Sequence, residues 1–278
     1  MTIWAHTLVK NEERYIWYAI MSIINHVDKI LVYDTGSTDM TVSIVRSIIK
    51  DYPKKVILKE VGEVTINTFT DVRQEMLSRT KSDWFLVLDG DEVWWDTSIE
   101  NLVRVINENR NLESVVNRHY SMTGDIYHYQ SESTGKYRID NSSGHINIRA
   151  VSMSIPGLHF EKPHGQLGLY DGSGVLIQNR SSERRVHMDE ISYLHFTNMR
   201  RSGSGDSLVP KRGFKYKYVL GKEFPPDFFY PEVFFIDRPD IVPSPWERRS
   251  LSFEVRAQVE SPLRKIKLKL PFLKKTGY

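Results

Sequence analysis

Short apolar runs alternate with segments of helical periodicity in the first third of the chain. Four runs rich in apolar residues, at 3–9, 29–33, 55–61 and 84–88, predict strands, and the run at 84–88 has the unbroken hydrophobicity of a strand that is buried on both faces. Between them, apolar residues recur every three or four positions, which predicts three helices. Asn11 stands where the first of these helices should have its N-cap. This alternation predicts an α/β protein with a doubly wound, mostly parallel sheet.

The pattern loosens after residue 110. A further helix is expected after Asp96, and strands are expected at 114–119, 144–151 and 191–197. Residues 121–143 are rich in Ser, Thr, Gly, Tyr and His, and they predict a long irregular stretch. We therefore expect one domain made of two halves, followed by an aromatic- and proline-rich extension with a basic tail. The predicted boundaries are 1–110, 111–205 and 206–278.

Composition narrows the class of protein. The 278 residues include no cysteine, which excludes disulfides and thiolate metal sites and fits a reducing compartment. No apolar run approaches the length of a membrane span, and the first residues lack the apolar core of a signal peptide, so a cytoplasmic protein is expected. Neither GxGxxG nor GxxxxGK[ST] occurs, which leaves a dinucleotide oxidoreductase or a P-loop enzyme without support.

The net charge of +3 is unevenly distributed. Residues 245–278 contain nine Lys/Arg and three Glu, a net charge of +6, so the rest of the chain carries −3. Within this tail, apolar residues from Leu263 to Leu273 fall at helical spacing beside lysines, which suits contact with an anionic membrane surface. Pro271 would interrupt such a helix, and Ile266 to Leu270 alternate with lysine equally well as an edge strand.

The strongest chemical signal is Asp89-Gly90-Asp91, directly after the run at 84–88. In an extended chain, residues two apart point to the same side, so the two carboxylates can address one ligand. Gly90 would let that ligand approach the backbone. Hard divalent cations bind one or two carboxylates together with substrate phosphates, so the pair suits a metal and a diphosphate. The alternative is an ordinary Asp-Gly hairpin turn with solvated acids.

Two further polar clusters follow predicted strands, at 10–13 and 34–39. Ligands of doubly wound sheets bind beyond the carboxyl ends of the strands, where these clusters and the acidic pair would converge. Asp39 in the second cluster is interpreted as a helix cap and is not included in the site.

Four motifs in this order resemble family 2 glycosyltransferases of the GT-A fold: NEERY, VYDTGSTDMT, VRQEML and LDGDEVW. The resemblance covers residues 3–95 and thins beyond them. It implies that 1–110 forms a nucleotide-sugar-binding half and that 111–205 forms the acceptor and catalytic half. It also implies a nucleotide-diphosphate sugar as donor, either a UDP-sugar or a GDP-sugar, and Mn²⁺ or Mg²⁺ as cofactor.

The same resemblance implies roles for individual residues. Its nucleotide-binding positions fall on Glu12, Asp34, Arg73 and Asp89. Its metal-binding positions fall on Asp89 and Asp91, with His195 as a late additional ligand. For Arg73 the alternative is an exposed helix arginine paired with a neighbouring acid. For His195 the alternative is a hydrogen-bonded core histidine.

An inverting enzyme of this type needs a carboxylate that takes the proton of the acceptor hydroxyl. Glu161, in His-Phe-Glu, is our candidate base, and the alternative is that it pairs with Lys162 or with solvent. Asp125 and Asp189 are the next candidates. Relatives often carry Glu-Asp or His-Glu at this stage, so the sequence departs from the pattern where the base is expected.

The sequence therefore predicts an inverting, metal-dependent glycosyltransferase that acts on a glycan or lipid-linked acceptor. One alternative is a nucleotidyltransferase of similar fold, although residues 10–13 are acidic and lack the usual glycine-rich loop. Another is a noncatalytic module that binds carbohydrate or nucleic acid through the aromatic extension and basic tail. No nucleic-acid partner is expected at the paired acids, because carboxylates repel phosphate unless a metal intervenes.

Overall fold

The computed structural model describes residues 1–199 and 218–269. The strands are β1 (Ile3–Val9), β2 (Lys29–Asp34), β3 (Val56–Glu60), β4 (Trp84–Val87), β5 (Glu92–Trp94), β6 (Ser114–Thr123), β7 (Asp125–Tyr129), β8 (Tyr137–Ile139), β9 (Ser142–Gly144), β10 (Ile146–Ser152), β11 (His159–Glu161), β12 (Gly168–Tyr170), β13 (Arg185–Asn198) and β14 (Lys222–Glu223). The helices are α1 (Ile16–Ile23), α2 (Thr41–Asp51), α3 (Phe69–Arg79), α4 (Asp96–Glu108) and α5 (Leu251–Lys269).

A ten-stranded mixed sheet forms the centre of the protein. Its main path runs β14-β7-β6-β10-β4-β1-β2-β3, and β13 pairs with both β6 and β5. The strands β3, β2, β1 and β4 are mutually parallel, whereas β10 runs antiparallel to both β4 and β6. The carboxyl ends of β1, β2, β4 and β6 therefore lie at one edge of the sheet. The predicted α/β class with a doubly wound, mostly parallel sheet is confirmed.

The apolar runs of the sequence are the buried strands of this sheet. Ala5, Ile30 and Leu86 are fully buried on neighbouring strands, and Ile20 and Ile44 cover them from α1 and α2. The helices predicted before β2, β3 and β4 and after Asp96 are all present. The apolar runs and the apolar residues at helical spacing in the sequence therefore identified these elements correctly.

Two local predictions were wrong. Asn11 does not cap the first helix: its backbone has φ +56° and the helix begins at Ile16. Residues 121–143 are not a long irregular stretch, because β6 continues to Thr123 and β7, β8 and β9 lie within or at the end of this segment. Here polar side chains occupy strands, since Ser121 and Thr123 are buried within the sheet and not on a loop.

The described part of the extension packs on the same core as the first half of the chain. Phe224, Tyr230 and Phe234 belong to the main hydrophobic cluster, and β14 adds to the sheet beside β7. The C-terminal segment is helical through Lys269, so an edge strand at 266–269 is wrong. Residues 200–217 and the residues after Lys269 lie outside the described residues.

Of the helices in residues 1–199 and 218–269, none combines the length and hydrophobicity that a bilayer span requires.

Candidate functional site

The loops after β1 and β2 are joined by hydrogen bonds. Asn11 donates its backbone N–H to Ser37 Oγ (2.9 Å), and its Oδ1 accepts from the Thr38 N–H (2.8 Å). Glu13 and Met40 link the same two loops, since Glu13 Oε2 accepts from the Met40 N–H (2.9 Å). These bonds satisfy backbone donors that the ends of β1 and β2 would leave unpaired. The loops that contain the motifs NEERY and DTGSTD are thus hydrogen-bonded to each other and form one wall of the site at the carboxyl edge of the sheet.

Asp34, the last residue of β2, is buried and turned into its own loop. Its carboxylate accepts from the N–H groups of Gly36 (3.0 Å) and Ser37 (2.9 Å), and also from the Ser37 hydroxyl. Gly36 has φ +88°, a left-handed conformation that side chains disfavour, and the turn depends on it. In this structure Asp34 stabilises the loop, and its contact with a nucleotide stays a prediction.

Glu12 lies directly against the acidic motif. A Cβ placed on Gly90 would come within 3.2 Å of Glu12 Cγ and within 2.8 Å of Val9 Cγ1. Glu12 is buried, and its carbonyl accepts from the N–H groups of Tyr15 and Ile16, which begins α1. The glycine of Asp-Gly-Asp is therefore required for close packing of the loops after β1 and β4.

Asp89 is held between two arginines from different elements. Arg149 Nη2 donates to its Oδ2 at 3.0 Å, and Arg73 Nη2 lies 3.6 Å from its Oδ1. Both guanidinium groups are largely buried, whereas the Asp89 carboxylate is one-third exposed. Burial would raise the pKa of Asp89, but Arg149 and Arg73 outweigh it and hold the pKa below its usual value. Arg73 therefore lies at the acidic motif and is not an exposed helix arginine, and its contact with a nucleotide stays a prediction.

Arg149 also binds Glu92 and the hydroxyl of Tyr193. It contacts the buried Glu92 carboxylate through Nη2, and its Nε donates to Tyr193 Oη at 3.0 Å. Burial would lower the pKa of Arg149, but Glu92, Tyr193 and Asp89 raise it well above its usual value. Burial raises the pKa of Glu92 to about 7, against the opposing charge of Arg149. One buried arginine therefore serves two carboxylates of the motif.

A β-bulge aims Arg149 at these carboxylates. Ile148 pairs with Val116 and Ala150 with Val115, so the register of β10 against β6 shifts at Arg149. Bulges bend a strand and redirect one side chain, and they are frequent beside active sites.

Asp91 pairs with His195, as the sequence predicted that both would reach one site. His195 Nε2 lies 3.4 Å from Asp91 Oδ1, and its Nδ1 lies 3.8 Å from Glu92 Oε1. The N–H of Phe196 donates to the Asp91 carbonyl (2.9 Å), which fixes β13 beside the motif. Burial alone would lower the pKa of His195, but Asp91 and Glu92 raise it.

The donor set around His195 suits a divalent cation. One ligand atom each from Asp89, Glu92 and His195 lies within 4.8 Å of the others. His195 Nδ1 is buried and makes no hydrogen bond. A buried nitrogen without a hydrogen bond, among three carboxylates, is typical of a site that completes its coordination with a metal. These residues therefore fit the expected metal.

Glu161 lies on a separate two-stranded hairpin. It ends β11, which pairs with β12 and packs against α3 through a hydrogen bond from Phe160 N to Gln74 Oε1 (2.8 Å). The Glu161 carboxylate is about half exposed and lies 3.7 Å from His159 Nε2. The structure thus places Glu161 beside the helix that carries Arg73, and its role as base stays a prediction.

The two other candidate bases differ sharply in environment. Asp125 is buried and accepts from the N–H groups of Tyr127 and Arg249, and it pairs with His128 (2.6 Å). Asp189 is exposed on β13. Hydrogen bonds from three groups make Asp125 a structural residue that anchors the extension.

A cavity of about 190 Å³ lies between the loop after β1 and the extension. Tyr15, Gly124 and Met199 line it from the domain, and Pro245 and Arg248 line it from the extension. The Tyr15 ring stacks on Phe196 (3.9 Å between centroids), next to the residue paired with Asp91. The cavity therefore opens at the carboxyl end of β6, on the same edge as the acidic motif.

The sequence matches the family described as glycosyl transferase family 2 over residues 6–162. This match includes more than half of the chain and all the motifs that meet at the edge. The chain belongs to glycosyl transferase family 2. Its α/β architecture is the GT-A fold expected of this family. No protein with curated annotation matches significantly.

Solved glycosyltransferase structures resemble the chain distantly. A fragment of S. aureus TarS is 16% identical with a TM-score of 0.46, over 71% of this chain and 61% of that one. A mannosyltransferase from Pyrobaculum calidifontis, in complex with GDP-Man and Mn²⁺, is 16% identical with a TM-score of 0.39, over 55% and 45%. Glucosyl-3-phosphoglycerate synthase from Mycobacterium tuberculosis, with Mn²⁺ and UDP, is 21% identical with a TM-score of 0.33, over 44% and 45%. The family 2 chain therefore spans less than two thirds of each.

Sequence reasoning missed Arg149 and Glu92, two buried charges of the site. Arg149 lies on the polar face of the strand at 144–151 together with His145 and Asn147. Alternation of this kind predicts that the polar face is exposed to solvent, so the burial of Arg149 could not be inferred from it.

Proposed function

We propose that this family 2 protein is a glycosyltransferase that moves a sugar from a nucleotide-diphosphate donor to a hydroxyl of a glycan or lipid-linked acceptor. The observation that carries the proposal is the convergence of Asp89, Asp91 and His195 with two buried arginines at the carboxyl edge of the sheet. Such a cluster supplies both anionic ligands for a metal and cationic groups for phosphate oxygens.

Asp89, Asp91 and His195 are the proposed ligands of the cation. One ligand atom each from Asp89, Glu92 and His195 lies within 4.8 Å of the others, and His195 Nε2 lies 3.4 Å from Asp91 Oδ1, so Asp91 is within reach of the same ion. An imidazole ligand favours Mn²⁺ over Mg²⁺, because Mg²⁺ takes oxygen ligands almost exclusively. When bound, the metal would stabilise the negative charge that develops on the departing diphosphate.

The donor is proposed to lie along the wall formed by the loops after β1 and β2. Glu12 and Asp34 would accept hydrogen bonds from the base and ribose of a UDP-sugar or GDP-sugar. Arg73, 3.6 Å from Asp89, would place a guanidinium fork at the diphosphate. The buried position of Arg73 supports this role, because a phosphate can compensate a charge that burial alone disfavours.

The acceptor is proposed to approach from the side of the extension, through the cavity lined by Tyr15 and Gly124. A carboxylate must then take the proton of the acceptor hydroxyl as the sugar is transferred with inversion, and Glu161 is the proposed base. Its half-exposed carboxylate is accessible to an acceptor, unlike that of Asp125.

A test begins with donor specificity. The protein is incubated with UDP- and GDP-sugars and Mn²⁺, and slow donor hydrolysis is measured in the absence of acceptor. Calorimetry then compares UDP and GDP binding with Mn²⁺ and with chelator. Binding should require the metal, and Asp91→Asn should remove the metal-dependent part. Asp71→Asn, an exposed acid on α3, is the matched control and should bind as the unaltered protein does.

Equal nucleotide affinity with metal and with chelator would overturn the metal's role. Hydrolysis of nucleoside triphosphates in place of sugar nucleotides would indicate the nucleotidyltransferase alternative. Sugar binding without any donor hydrolysis would indicate a noncatalytic module.

A further inference from the structure

The helix α5 presents apolar residues on both of its sides. Phe253, Ala257 and Ser261 face the protein, where they are 2%, 0% and 8% exposed. Phe253 lies against Tyr218, and Ser261 Oγ accepts from the Leu220 N–H (3.0 Å). These three positions are spaced by four, so they form one stripe that docks the helix. The inner face of α5 is thus covered by the rest of the protein.

The outer face carries a second stripe. Leu251, Val255 and Val259, also spaced by four, are 80%, 63% and 63% exposed. Each lies two residues from the inner stripe, which is about 200° around a helix of 3.6 residues per turn. Single exposed apolar residues are ordinary on a surface, but a regular stripe on the solvent side of a helix is not. An exposed apolar stripe of this kind is expected where a surface binds an apolar partner.

The charge of this region selects the occupant. The whole net charge of +6 in residues 245–278 comes from the six Lys/Arg at 264–275, because the three arginines before Ser261 are balanced by three glutamates. Arg256, next to Val255, is 58% exposed at its side chain. An apolar helix face that is followed along the same helix by a run of Lys/Arg suits a helix that lies in the interface of an anionic bilayer. Basic residues near such a surface add to the attraction of a buried apolar face. We propose that α5 binds the surface of an anionic membrane through the stripe Leu251-Val255-Val259.

A second copy of the chain fits this face less well. Two copies joined through the outer stripe would bring two strongly basic segments together, and like charges within a Debye length of about 10 Å repel. A lipid headgroup layer supplies the opposite charge instead. The surface also complements the proposed function, because it would bring the transferase to acceptors that are anchored in lipid.

The test uses the full chain and vesicles of phosphatidylglycerol or phosphatidylcholine. The protein should cosediment with the anionic vesicles at low salt. It should bind much less at 0.5 M salt, where a Debye length of roughly 4 Å screens the charges of the tail. It should also bind much less to the neutral vesicles, which carry no opposite charge. Two variants separate the contributions: Leu251→Ser/Val255→Ser/Val259→Ser removes the stripe, and Arg264→Gln/Lys265→Gln/Lys267→Gln/Lys269→Gln removes charge. Each should weaken binding about tenfold or more.

Ile57→Ser/Val175→Ser is the matched control, because both residues are exposed and apolar but lie outside α5. It should bind vesicles as the unaltered protein does. Absence of binding to anionic vesicles at low salt, or equal binding by the stripe variant, would overturn the proposal. A concentration-dependent dimer in sedimentation, lost in the stripe variant, would assign the face to a second copy.

Donor hydrolysis in vesicle-free buffer separates this inference from the proposed function. All three variants should retain it, since α5 contributes no residue to the acidic site. If the unaltered protein lacks hydrolysis but binds anionic vesicles, the proposed function fails and the membrane surface stands. If hydrolysis is present and vesicle binding is absent, the membrane surface alone fails.

Discussion

The guanidinium of Arg149 contacts the carboxylate of Glu92, and both groups are buried beneath the proposed donor site. The same guanidinium nitrogen reaches Asp89, which is partly exposed. Arg149 therefore connects the floor of the site to a carboxylate at its surface. A ligand that displaces Asp89 from Arg149 would leave the pair with Glu92 intact, so the site can rearrange without exposing an unpaired charge.

Removing Arg149 should destabilise the protein strongly. Arg149→Met leaves Glu92 buried without a counterion, and such losses cost about 3–5 kcal/mol in the free energy of unfolding. Urea denaturation measures the loss. Arg118→Met is the control, because Arg118 forms a half-exposed pair with Glu132 and should cost less than about 1 kcal/mol.

The double variant Arg149→Met/Glu92→Gln should recover part of the lost stability, since it removes both buried charges at once. If the double variant were less stable than Arg149→Met alone, the Arg149–Glu92 contact would not be the reason for the loss.

Much of the sheet was predictable because burial on both faces leaves a direct trace in the sequence. The strands β1, β2 and β4 are buried, and they alternate with the helices in the way that a parallel α/β sheet requires. The positions of Asp89 and Asp91 followed from the same pattern, since they end a buried strand. Parallel strands end at one edge, so the convergence with the loops after β1 and β2 could be predicted as well.

The second half was less predictable because its strands are polar. Ser121 and Thr123 are buried in β6 by pairing with β13, a contact across about 70 residues that leaves no periodic trace. The bulge at Arg149 likewise depends on how β10 meets β6 and cannot be read from β10 alone. The second half therefore depends on long-range pairing, which sequence periodicity does not record.

Substituting Gly90 should disturb both stability and donor binding. In Gly90→Ala the new methyl would lie 2.8 Å from Val9 Cγ1 and 3.2 Å from Glu12 Cγ. Overpacking of this kind costs about 1–3 kcal/mol. Because Glu12 must move, nucleotide affinity in calorimetry should fall together with the denaturation midpoint.

The companion variant Gly90→Ala/Val9→Ala should lose less stability than the two single substitutions lose together, since it relieves the closest contact. Gly174→Ala is a useful contrast, because nothing lies within 4 Å of a Cβ there and only its φ of +75° is strained. It should lose stability without any change in nucleotide affinity. Unchanged nucleotide affinity in Gly90→Ala would remove Glu12 from the donor site.

His6 should make the protein sensitive to mild acid. Burial, with Arg73 nearby, lowers the pKa of His6 to about 3, and its Nε2 lies 2.6 Å from Thr80 Oγ1. Thr80 Oγ1 donates to the Met76 carbonyl, so the neutral His6 donates to Thr80. The unfolded chain takes up a proton near pH 6.5 and the folded chain does not, so stability falls as the pH drops from 6.5 towards 3. The slope is at most about 1.4 kcal/mol per pH unit.

His6→Gln keeps a donor but does not titrate, so urea denaturation from pH 7 to pH 5 should show a smaller loss of stability than in the unaltered protein. The difference between the two should reach about 2 kcal/mol at pH 5. His159→Gln, at a partly exposed histidine of β11, should reproduce the behaviour of the unaltered protein. Parallel pH profiles for His6→Gln and the unaltered protein would show that His6 is protonated in the folded state.

The catalytic base is identified by measuring the rate of sugar transfer and the affinity for nucleotide separately in each variant. Glu161→Gln should leave metal-dependent nucleotide binding unchanged and reduce transfer by about 10²-fold or more, the usual scale of general-base catalysis. Asp189→Asn, on an exposed position of β13, is the matched carboxylate control and should transfer at the normal rate. Asp125→Asn is expected to lose stability, since three hydrogen bonds, one of them with His128, depend on that buried carboxylate. If Glu161→Gln transferred normally while Asp189→Asn did not, the base would lie on β13, and the hairpin β11–β12 would serve only to cover α3.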